Sequence, residues 1–286
     1  MTKIIPIINA RMGSIRLPGK AILDLNGKSV LSHQIERMRH SSSIGSPYLV
    51  TTKSEENKPL IKEAIKENIP YYCGAEEDIS ERFIAVLEKE NAHAAIRCAG
   101  DQPLFSYEIV DLLLSEYKGE DYLYPSTKLG EGIGLEIFSL NALKKSRKYY
   151  RGPALAKYIL EYPHKFKIRG IEVYDDLSRP EFRLTLDTIE DYNLISLIYE
   201  KFYDVAKPVD LRQVYKFLDD NPNISNMNRN VEETNVNTYV HGLSERPIFT
   251  IYKNSNGKFI IKNRMSEIVQ ADEFKFFYKN LMLPEL

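Results

Sequence analysis

Residues 4–20 of the chain read IIPIINARMGSIRLPGK. The first half is a short run of β-branched apolar residues, which is typical of a strand buried on both faces. In the second half, Gly13 and Gly19 allow the backbone to turn and to bring N–H groups close to a ligand. The three cations of this loop are Arg11, Arg16 and Lys20. They repel one another unless an anion such as a polyphosphate lies between them. The stretch therefore predicts a strand followed by either a phosphate-binding loop or a turn with solvated basic side chains.

Two common phosphate-binding patterns do not fit this loop. Ala21 follows Lys20, where the pattern G-x-x-x-x-G-K-[ST] requires Ser or Thr. The dinucleotide pattern G-x-G-x-x-G does not occur in the loop either. Both families of nucleotide-binding protein are therefore disfavoured.

Strand and helix patterns alternate along the chain as far as residue 117. We predict strands at 47–52, 71–73 and 94–98, and helices at 30–40, 55–68, 79–90 and 106–117. Alternation of this kind predicts an α/β fold of βαβ units, with a mostly parallel sheet flanked by helices. Ligands bind such sheets at the carboxyl ends of the strands. The loops 9–20, 74–82 and 99–105 are therefore expected at one edge of the sheet.

After Asp121 the alternation weakens. We predict strands at 122–125, 134–139, 165–171 and 183–186, and helices at 141–147, 152–162, 189–203 and 210–219. The polar run 221–237 is interpreted as a linker. Beyond it, a hairpin of 248–252 with 259–262 and a helix at 272–280 predict a small α+β appendage.

The composition is that of an ordinary soluble globular protein, with 286 residues of which 43% are hydrophobic and 28% charged. The net charge of −1 gives no general basic field, so a nucleic-acid partner is not expected. Cys73 and Cys98 lie in apolar segments and are predicted to be buried thiols rather than a disulfide. The first apolar run is unlike a secretory signal, and no apolar stretch approaches the roughly 18 residues that cross a bilayer. We therefore expect a cytoplasmic protein without a membrane partner.

The run NARMGSIRLPGKAILDLNGKSVL, residues 9–31, closely resembles the opening of sugar-activating cytidylyltransferases. The resemblance is to the spore coat polysaccharide (SpsF-like) enzymes, with the CMP-3-deoxy-manno-octulosonate synthetases as more distant relatives. It implies a Rossmann-like nucleotide-diphospho-sugar transferase fold in which this loop wraps the triphosphate of CTP. The nucleotide-binding residues that it implies in the loop are Ala10, Arg11, Gly13, Ser14, Arg16 and Lys20, with Arg11 and Lys20 also catalytic.

Two acidic residues are candidates for a magnesium site, because Mg²⁺ takes oxygen ligands and keeps several waters. Asp101 follows a strand in the sequence GDQPL, and an Asp in that position is often only a turn former. GDQPL resembles the family motif G-D-x-P-L, in which the Asp binds the catalytic Mg²⁺ and the Gly, here Gly100, contacts the nucleotide. Asp187 lies in RLTLDTIED, where local reading gives only a helix start. That segment resembles R-L-T-V-D-T-x-E-D, in which the Asp completes the metal site.

A third match concerns the nucleotide base. Residues 74–83 read GAEEDISERF and resemble the G-x-E-x-D-x-x-x-R-F stretch of the SpsF-like group. Arg82 is the candidate from this match, since a guanidinium can donate to the cytosine carbonyl. The acids of the stretch are also what a helix amino terminus favours. Ala99 stands where the octulosonate enzymes carry Gln. The preference for CTP is therefore implied by the family resemblance and not by the base-contacting residues of this sequence.

The acceptor side is less well marked. Glu136 lies in GIGLEIF, which resembles a G-x-x-x-E-x-F segment, and it is either a substrate contact or an exposed strand residue. Arg151 begins RGPA where the SpsF-like pattern has Glu-His-Val-Thr. This change replaces an acid and an imidazole by a cation, and we expect Arg151 to pair with an anionic group of the acceptor.

Taken with the resemblance, these observations predict a nucleotidyltransferase that uses Mg²⁺ to transfer CMP from CTP to a small-molecule acceptor and releases pyrophosphate. The family implies an acidic sugar of surface-glycan biosynthesis as the acceptor. The alternatives are another NTP with a sugar phosphate, or a non-catalytic nucleotide-binding protein of a polysaccharide pathway. Residues 1–230 are predicted to form the catalytic domain, with 121–175 as an insertion for the acceptor or for a homodimer contact. Residues 231–286 are the appendage, interpreted as a packing subdomain or as a partner-binding module.

Overall fold

The computed structural model describes residues 2–231, 238–241, 247–253, 259–263 and 268–271. The chain divides into two units, residues 1–230 and 231–286. The strands of the first unit are β1 (Ile4–Asn9), β2 (Asp24–Leu25), β3 (Lys28–Ser29), β4 (Tyr48–Thr52), β5 (Tyr71–Gly74), β6 (Ala94–Ala99), β7 (Tyr122–Pro125), β8 (Glu136–Ser139) and β9 (Ile168–Ile171). Its α-helices are α1 (Val30–His40), α2 (Lys58–Lys66), α3 (Ile79–Lys89), α4 (Tyr107–Glu116), α5 (Leu140–Arg147), α6 (Lys157–Glu161), α7 (Ile189–Phe202), α8 (Leu211–Asp220) and α9 (Pro222–Ser225).

Within residues 2–230, seven strands form one sheet in the order β5-β4-β1-β6-β8-β7-β9. The pairs β4–β5, β1–β4 and β1–β6 are parallel, whereas β8 runs antiparallel to both of its neighbours. The predicted α/β fold with a mostly parallel sheet is confirmed. Because β1, β4, β5 and β6 all end at one edge, the loops that follow them meet there, as expected.

Buried apolar side chains and capped helices explain why these elements form. Ile7 and Ile8 of β1 are fully buried, which fits a central strand covered on both faces. The helix α3 is capped by Asp78, whose carboxylate accepts a hydrogen bond from the Glu81 amide at 3.0 Å. At α7, Thr188 and Asp191 form a capping box. The helix starts that border the carboxyl edge of the sheet are therefore fixed by local sequence.

The small hairpin β2–β3 was not predicted from the sequence. Its turn holds Asn26 and Gly27 at φ values of 53° and 86°. An Asn-Gly pair is the strongest short signal for such a turn, so the sequence did contain the information.

Several predicted elements differ in the structure. The strand predicted at 183–186 is absent, and Arg183 forms only an isolated bridge with Glu131. The helix predicted at 152–162 is reduced to α6, and the strand predicted at 165–171 is reduced to β9. The predicted linker 221–237 begins with the helix α9. These differences all fall after Asp121, where the sequence pattern was weak.

The second unit contains β10 (Thr238–His241), β11 (Pro247–Lys253), β12 (Phe259–Asn263) and β13 (Ile268–Ala271), which pair as antiparallel neighbours in that order. The predicted hairpin is therefore present as β11–β12. The helix predicted at 272–280 lies outside the described residues. In the parts of the chain that the structure describes, no helix has the length and apolarity to cross a membrane.

Candidate active site

The loop between β1 and Lys20 is held by backbone groups. The amides of Ser14 and Gly19 both donate to the Met12 carbonyl, at 2.8 and 3.0 Å, so the loop folds back on itself. The Met12 amide donates to the Asn57 side chain at 2.8 Å, which ties the loop to the segment before α2. Gly19 has a φ of 68°, a left-handed conformation that favours glycine. This closed loop delivers Lys20 to the edge of the sheet.

The Lys20 ammonium lies between the two predicted metal ligands. Its Nζ is 2.6 Å from Asp101 Oδ2 and 2.8 Å from Asp187 Oδ1. The Lys20 and Asp187 side chains are about one-seventh exposed, at 14% and 15%, and that of Asp101 is 26% exposed. Three residues that are remote in sequence thus meet at one point, with both carboxylates aimed at the same nitrogen.

Asp101 is placed by the backbone of the sheet. The Gly100 amide donates to the Asn9 carbonyl at 2.9 Å, so the end of β6 lies directly against the end of β1. A Cβ at Gly100 would be 2.7 Å from the Ala10 Cβ, which explains why this position requires glycine. The Asp101 carbonyl in turn accepts from the Leu186 amide at 2.8 Å. Asp101 therefore also fixes the segment that leads to Asp187.

Asp187 is placed by side chains that sequence reasoning did not single out. Arg183 Nη2 donates to Asp187 Oδ2 at 2.9 Å, and Arg183 Nε donates to Asp191 Oδ1 at 2.9 Å. Asp191 is fully buried and accepts from the Asp187 amide and from Asn228 Nδ2, at 2.9 and 2.8 Å. Arg183 and Asp191 belong to the matched segment RLTLDTIED, which was the available signal; nothing in the sequence pointed to Asn228.

Cations surround the Asp187 carboxylate. Burial by itself raises its pKa, but the charge of Lys20, and then those of Arg16 and Arg183, outweigh burial and lower the pKa below the ordinary value. Arg16 Nη2 lies 3.1 Å from Asp187 Oδ2. Asp187 is therefore held as a carboxylate.

The donor set is suited to Mg²⁺. Asp101 and Asp187 provide hard oxygen ligands, both of which contact the Lys20 ammonium in this structure. A magnesium site needs only one or two carboxylates, because the ion keeps several waters. Among the described residues, no cluster of three or more His, Cys, Asp or Glu side chains could hold a metal. A larger cage of protein ligands, as in structural zinc sites, is therefore not present in this part of the chain.

Arg82, the predicted base contact, lies on α3 and is 5% exposed. Its Nε and Nη1 are buried and make no hydrogen bond to any described residue. Burial, and then the nearby charge of Arg11, lower the pKa of Arg82. Of the acids beside it, Asp78 is the helix cap and also accepts from Arg147 at 2.8 Å, whereas Glu76 and Glu77 are exposed. Arg82 and Arg11 are thus neighbouring cations at the sheet edge.

Glu136 is not an exposed strand residue. Tyr122 donates to its Oε1 at 2.5 Å, and Arg97 Nη1 donates to its Oε2 at 3.4 Å. Its side chain is 28% exposed. Arg151, the other predicted acceptor contact, is exposed in the segment between α5 and α6.

Neither cysteine forms a disulfide, although Cys73 is only half-buried rather than buried as expected.

Comparison with known proteins decides the family. The profile of the cytidylyltransferase family matches residues 5–200, more than half of the chain. The chain belongs to this family. The spore coat polysaccharide biosynthesis protein SpsF of Bacillus subtilis is 30% identical over 70% of this chain and 88% of its own length.

Two further comparisons agree with membership of the cytidylyltransferase family. The 3-deoxy-manno-octulosonate cytidylyltransferase of Escherichia coli is 28% identical over 44% of this chain and 51% of its own length. The structure of a cytidylyltransferase from Leptospira borgpetersenii superposes with a TM-score of 0.74 at 26% identity, covering 82% of this chain and all of the other. The resemblance to SpsF-like CMP-sugar synthetases and the prediction of a nucleotidyltransferase are confirmed.

Proposed function

We propose that this cytidylyltransferase transfers CMP from CTP to an acidic sugar and releases pyrophosphate. The observation that carries the proposal is the contact of a single ammonium, Lys20 Nζ, with both Asp101 and Asp187. It brings together the cation that we propose for phosphate binding and the two acids that we propose as metal ligands. The acidic acceptor is supported by the octulosonate substrate in the name of one relative and by the polysaccharide pathway in the name of another.

The reaction is an in-line displacement at the α-phosphate. A hydroxyl oxygen of the acceptor forms a bond to the α-phosphorus, the bond to the β-phosphate oxygen breaks, and the hydroxyl proton passes to solvent. Arg11, Arg16 and Lys20 hold the β- and γ-phosphates that leave. Asp101 and Asp187 would hold Mg²⁺, which would supply positive charge where negative charge develops. No protein nucleophile is required.

Selectivity for the nucleotide base comes from Arg82 on α3. Arg82 has buried N–H groups that lack a partner among the described residues, and a cytosine carbonyl supplies the acceptor that they need. Ala10, Gly13 and Gly100 bring the backbone close to the nucleotide, and Ser14 adds a hydroxyl to the phosphate side of the loop.

Pyrophosphate release tests this function. The assay combines CTP, UTP, GTP or ATP, with and without Mg²⁺, with 3-deoxy-manno-octulosonate, glucuronate or glucose 1-phosphate. We expect release only with CTP, Mg²⁺ and a sugar acid. Release with another NTP and the sugar phosphate would support the other transferase activity. Binding of an NTP, measured by thermal shift, without pyrophosphate release in any combination would support the non-catalytic nucleotide-binding protein.

Two variants test the metal ligands. Asp101→Asn and Asp187→Asn are each expected to lower kcat by about 10³-fold, because each removes a ligand from the reacting centre. Asp220→Asn, a change of an exposed carboxylate on α8, is the matched control and should retain wild-type activity. Retained activity in either active-site variant would show that the two acids do not hold the metal.

A further inference from the structure

Arg97 is a cation in the middle of the sheet. It lies on β6, between Ile7 of β1 and Glu136 of β8, and its side chain is 28% exposed. Strands flank β6 on both sides, so Arg97 lies on a central strand and not at an edge of the sheet. A charged side chain in such a position is rare unless it is paired.

The pairing of Arg97 is incomplete. Its Nη1 lies 3.4 Å from Glu136 Oε2, near the outer limit of a hydrogen bond. Its Nε is buried and has no hydrogen-bond partner among the described residues. A guanidinium carries five N–H donors, so most of its capacity is not taken up by Glu136.

Glu136 is bound more closely to Tyr122 than to Arg97. The Tyr122 hydroxyl donates to Glu136 Oε1 at 2.5 Å. Burial, and then the negative charge of Glu136, raise the pKa of Tyr122, so it remains a phenol that donates this bond. The Tyr122 ring is held in turn by Phe138 and Tyr124, with ring centroids 4.9 and 5.1 Å away. Glu136 is thus fixed in place, and its charge is shared between Tyr122 and Arg97.

The same strand that carries Arg97 delivers Asp101 to the site. Arg97 is two residues before Ala99, the end of β6, and at about 3.3 Å per residue its Cα lies about 7 Å below that edge. Gln102 accepts from the Ala99 amide at 2.8 Å and donates to the Gly134 carbonyl at 3.1 Å. The loop that carries Asp101 is therefore tied to the segment that leads into Glu136. The long side chain of Arg97 and the metal ligand Asp101 belong to one rigid unit.

We propose that Arg97 binds the carboxylate of the acidic acceptor, with Glu136 and Tyr122 as positioning residues that hold its guanidinium. The proposal rests on the function proposed above, and it identifies the residue that would recognise an acidic acceptor. A carboxylate matches the planar fork of the guanidinium with two parallel hydrogen bonds, which a neutral hydroxyl or amide does not.

The test compares sugar acids with their primary amides. The probes are 3-deoxy-manno-octulosonate, glucuronate and the amide of each, and the variant is Arg97→Met, which keeps the length of the side chain and removes the charge. We expect kcat/KM for the acid to fall about 30-fold, mainly through KM, with less than about a threefold change for the amide. The KM for CTP should stay within about twofold of the wild-type value, which also shows that the variant is folded.

Control variants separate a specific role from a structural one. Arg169→Met removes another strand arginine, one that is paired with Glu120 and Glu116, and should not distinguish acid from amide. Arg97→Lys should restore part of the activity toward the acid. Glu136→Gln and Tyr122→Phe should raise the KM for the acid by about threefold to tenfold, less than Arg97→Met does.

Three results would overturn the inference. Equal losses on acid and amide would give Arg97 only a structural role, and a matching rise in KM for CTP would assign it to the nucleotide. A wild-type enzyme that binds CTP but turns over neither acid would overturn the acidic acceptor itself, and with it the inference. The last result is distinguished from the first two because it concerns the unmodified enzyme.

Discussion

Asp101 and Asp187 reach the same ammonium nitrogen by different routes. Asp101 stands at the end of a regular strand, and the packing of Gly100 on the backbone of Asn9 and Ala10 determines its position. Asp187 follows an irregular segment and is held by the side chain of Arg183. The position of Asp101 depends on backbone packing, so a change in the charge of a neighbouring side chain should affect it little. The position of Asp187 depends on an ion network, so the loss of any one charged member should disturb it. Different substitutions should therefore displace Asp101 and Asp187.

The network behind Asp187 is centred on a buried carboxylate. Asp191 is fully buried and accepts five hydrogen bonds, two from Arg183 and one each from the Asp187 amide, the Thr188 amide and Asn228. A buried carboxylate is tolerated only when it is paired in this way. The position of Asp187, a proposed metal ligand, is thus linked to the stability of the surrounding fold.

Among the substitutions that distinguish the two acids, Arg183→Met is expected to have the largest effect on stability and activity. The change removes the cation that joins Asp187 to Asp191, and breaking a buried ion pair costs about 3 kcal/mol in the free energy of unfolding. Because Asp187 is then free to shift, kcat should also fall by about 10²-fold. Urea denaturation and the pyrophosphate assay measure the two effects.

The control for Arg183→Met is Arg212→Met. Arg183 pairs with three acids, Glu131, Asp187 and Asp191, and its side chain is 11% exposed. Arg212 likewise pairs with more than one acid, Glu108 and Asp176, but its side chain is 40% exposed. Exposed ion pairs contribute about 1 kcal/mol or less, so this variant should remain close to the wild type in stability and activity. Equal destabilisation by both changes would contradict the special role assigned to the Asp191 network.

A smaller effect is expected for Gly100→Ala on the Asp101 side. The new Cβ would lie 2.7 Å from the Ala10 Cβ and 3.1 Å from the Asn9 carbonyl oxygen, so the Asp101 loop must move away from β1. We expect kcat to fall by about tenfold to a hundredfold, while the pH dependence of stability stays as in the wild type. Gly45→Ala is the matched control, since a Cβ there meets nothing within 4 Å. An active Gly100→Ala enzyme would show that the close packing does not position Asp101.

The same difference explains what the sequence could predict. The β6 strand, Gly100 and Asp101 are adjacent in sequence, so a local pattern and the GDQPL match were sufficient. The strand predicted at 183–186 is wrong, although Leu184 and Leu186 are fully buried. The amides of both leucines donate to distant carbonyls, those of Glu131 and Asp101, instead of a neighbouring strand. Such partners depend on the tertiary fold and leave no local signal.

The contact between Arg97 and Glu136 lay beyond sequence reasoning for a related reason. The two residues are opposite each other only because β6 pairs with β8 in one particular register. A shift of that register by one residue would move each side chain to the other face of the sheet. The sequence contains both residues but does not state the register, so Glu136 was identified through a family motif and Arg97 was not identified.

The smallest expected effect is the contribution of Asp187 to the pH dependence of stability. Burial raises the pKa of Asp187, but Lys20, Arg16 and Arg183 together hold it below the unfolded value of 3.8. A carboxyl whose pKa is lowered by folding stabilises the protein above its unfolded pKa, and this contribution is lost as the pH falls through the folded pKa. The free energy of unfolding of the wild type should therefore fall more steeply than that of Asp187→Asn from about pH 4 downwards.

Arg183→Met provides the intermediate case, because Asp187 then keeps Lys20 and Arg16 but loses its third cation. Its folded pKa moves back toward the unfolded value, so the acid-sensitive part of the stability should become smaller without disappearing. Urea denaturation between pH 3 and pH 6 on the wild type and both variants gives the three slopes. Parallel curves for the three proteins would mean that the cations around Asp187 do not stabilise its charged form. The side-chain account of how Asp187 is positioned would then be wrong, while the backbone account of Asp101 would stand.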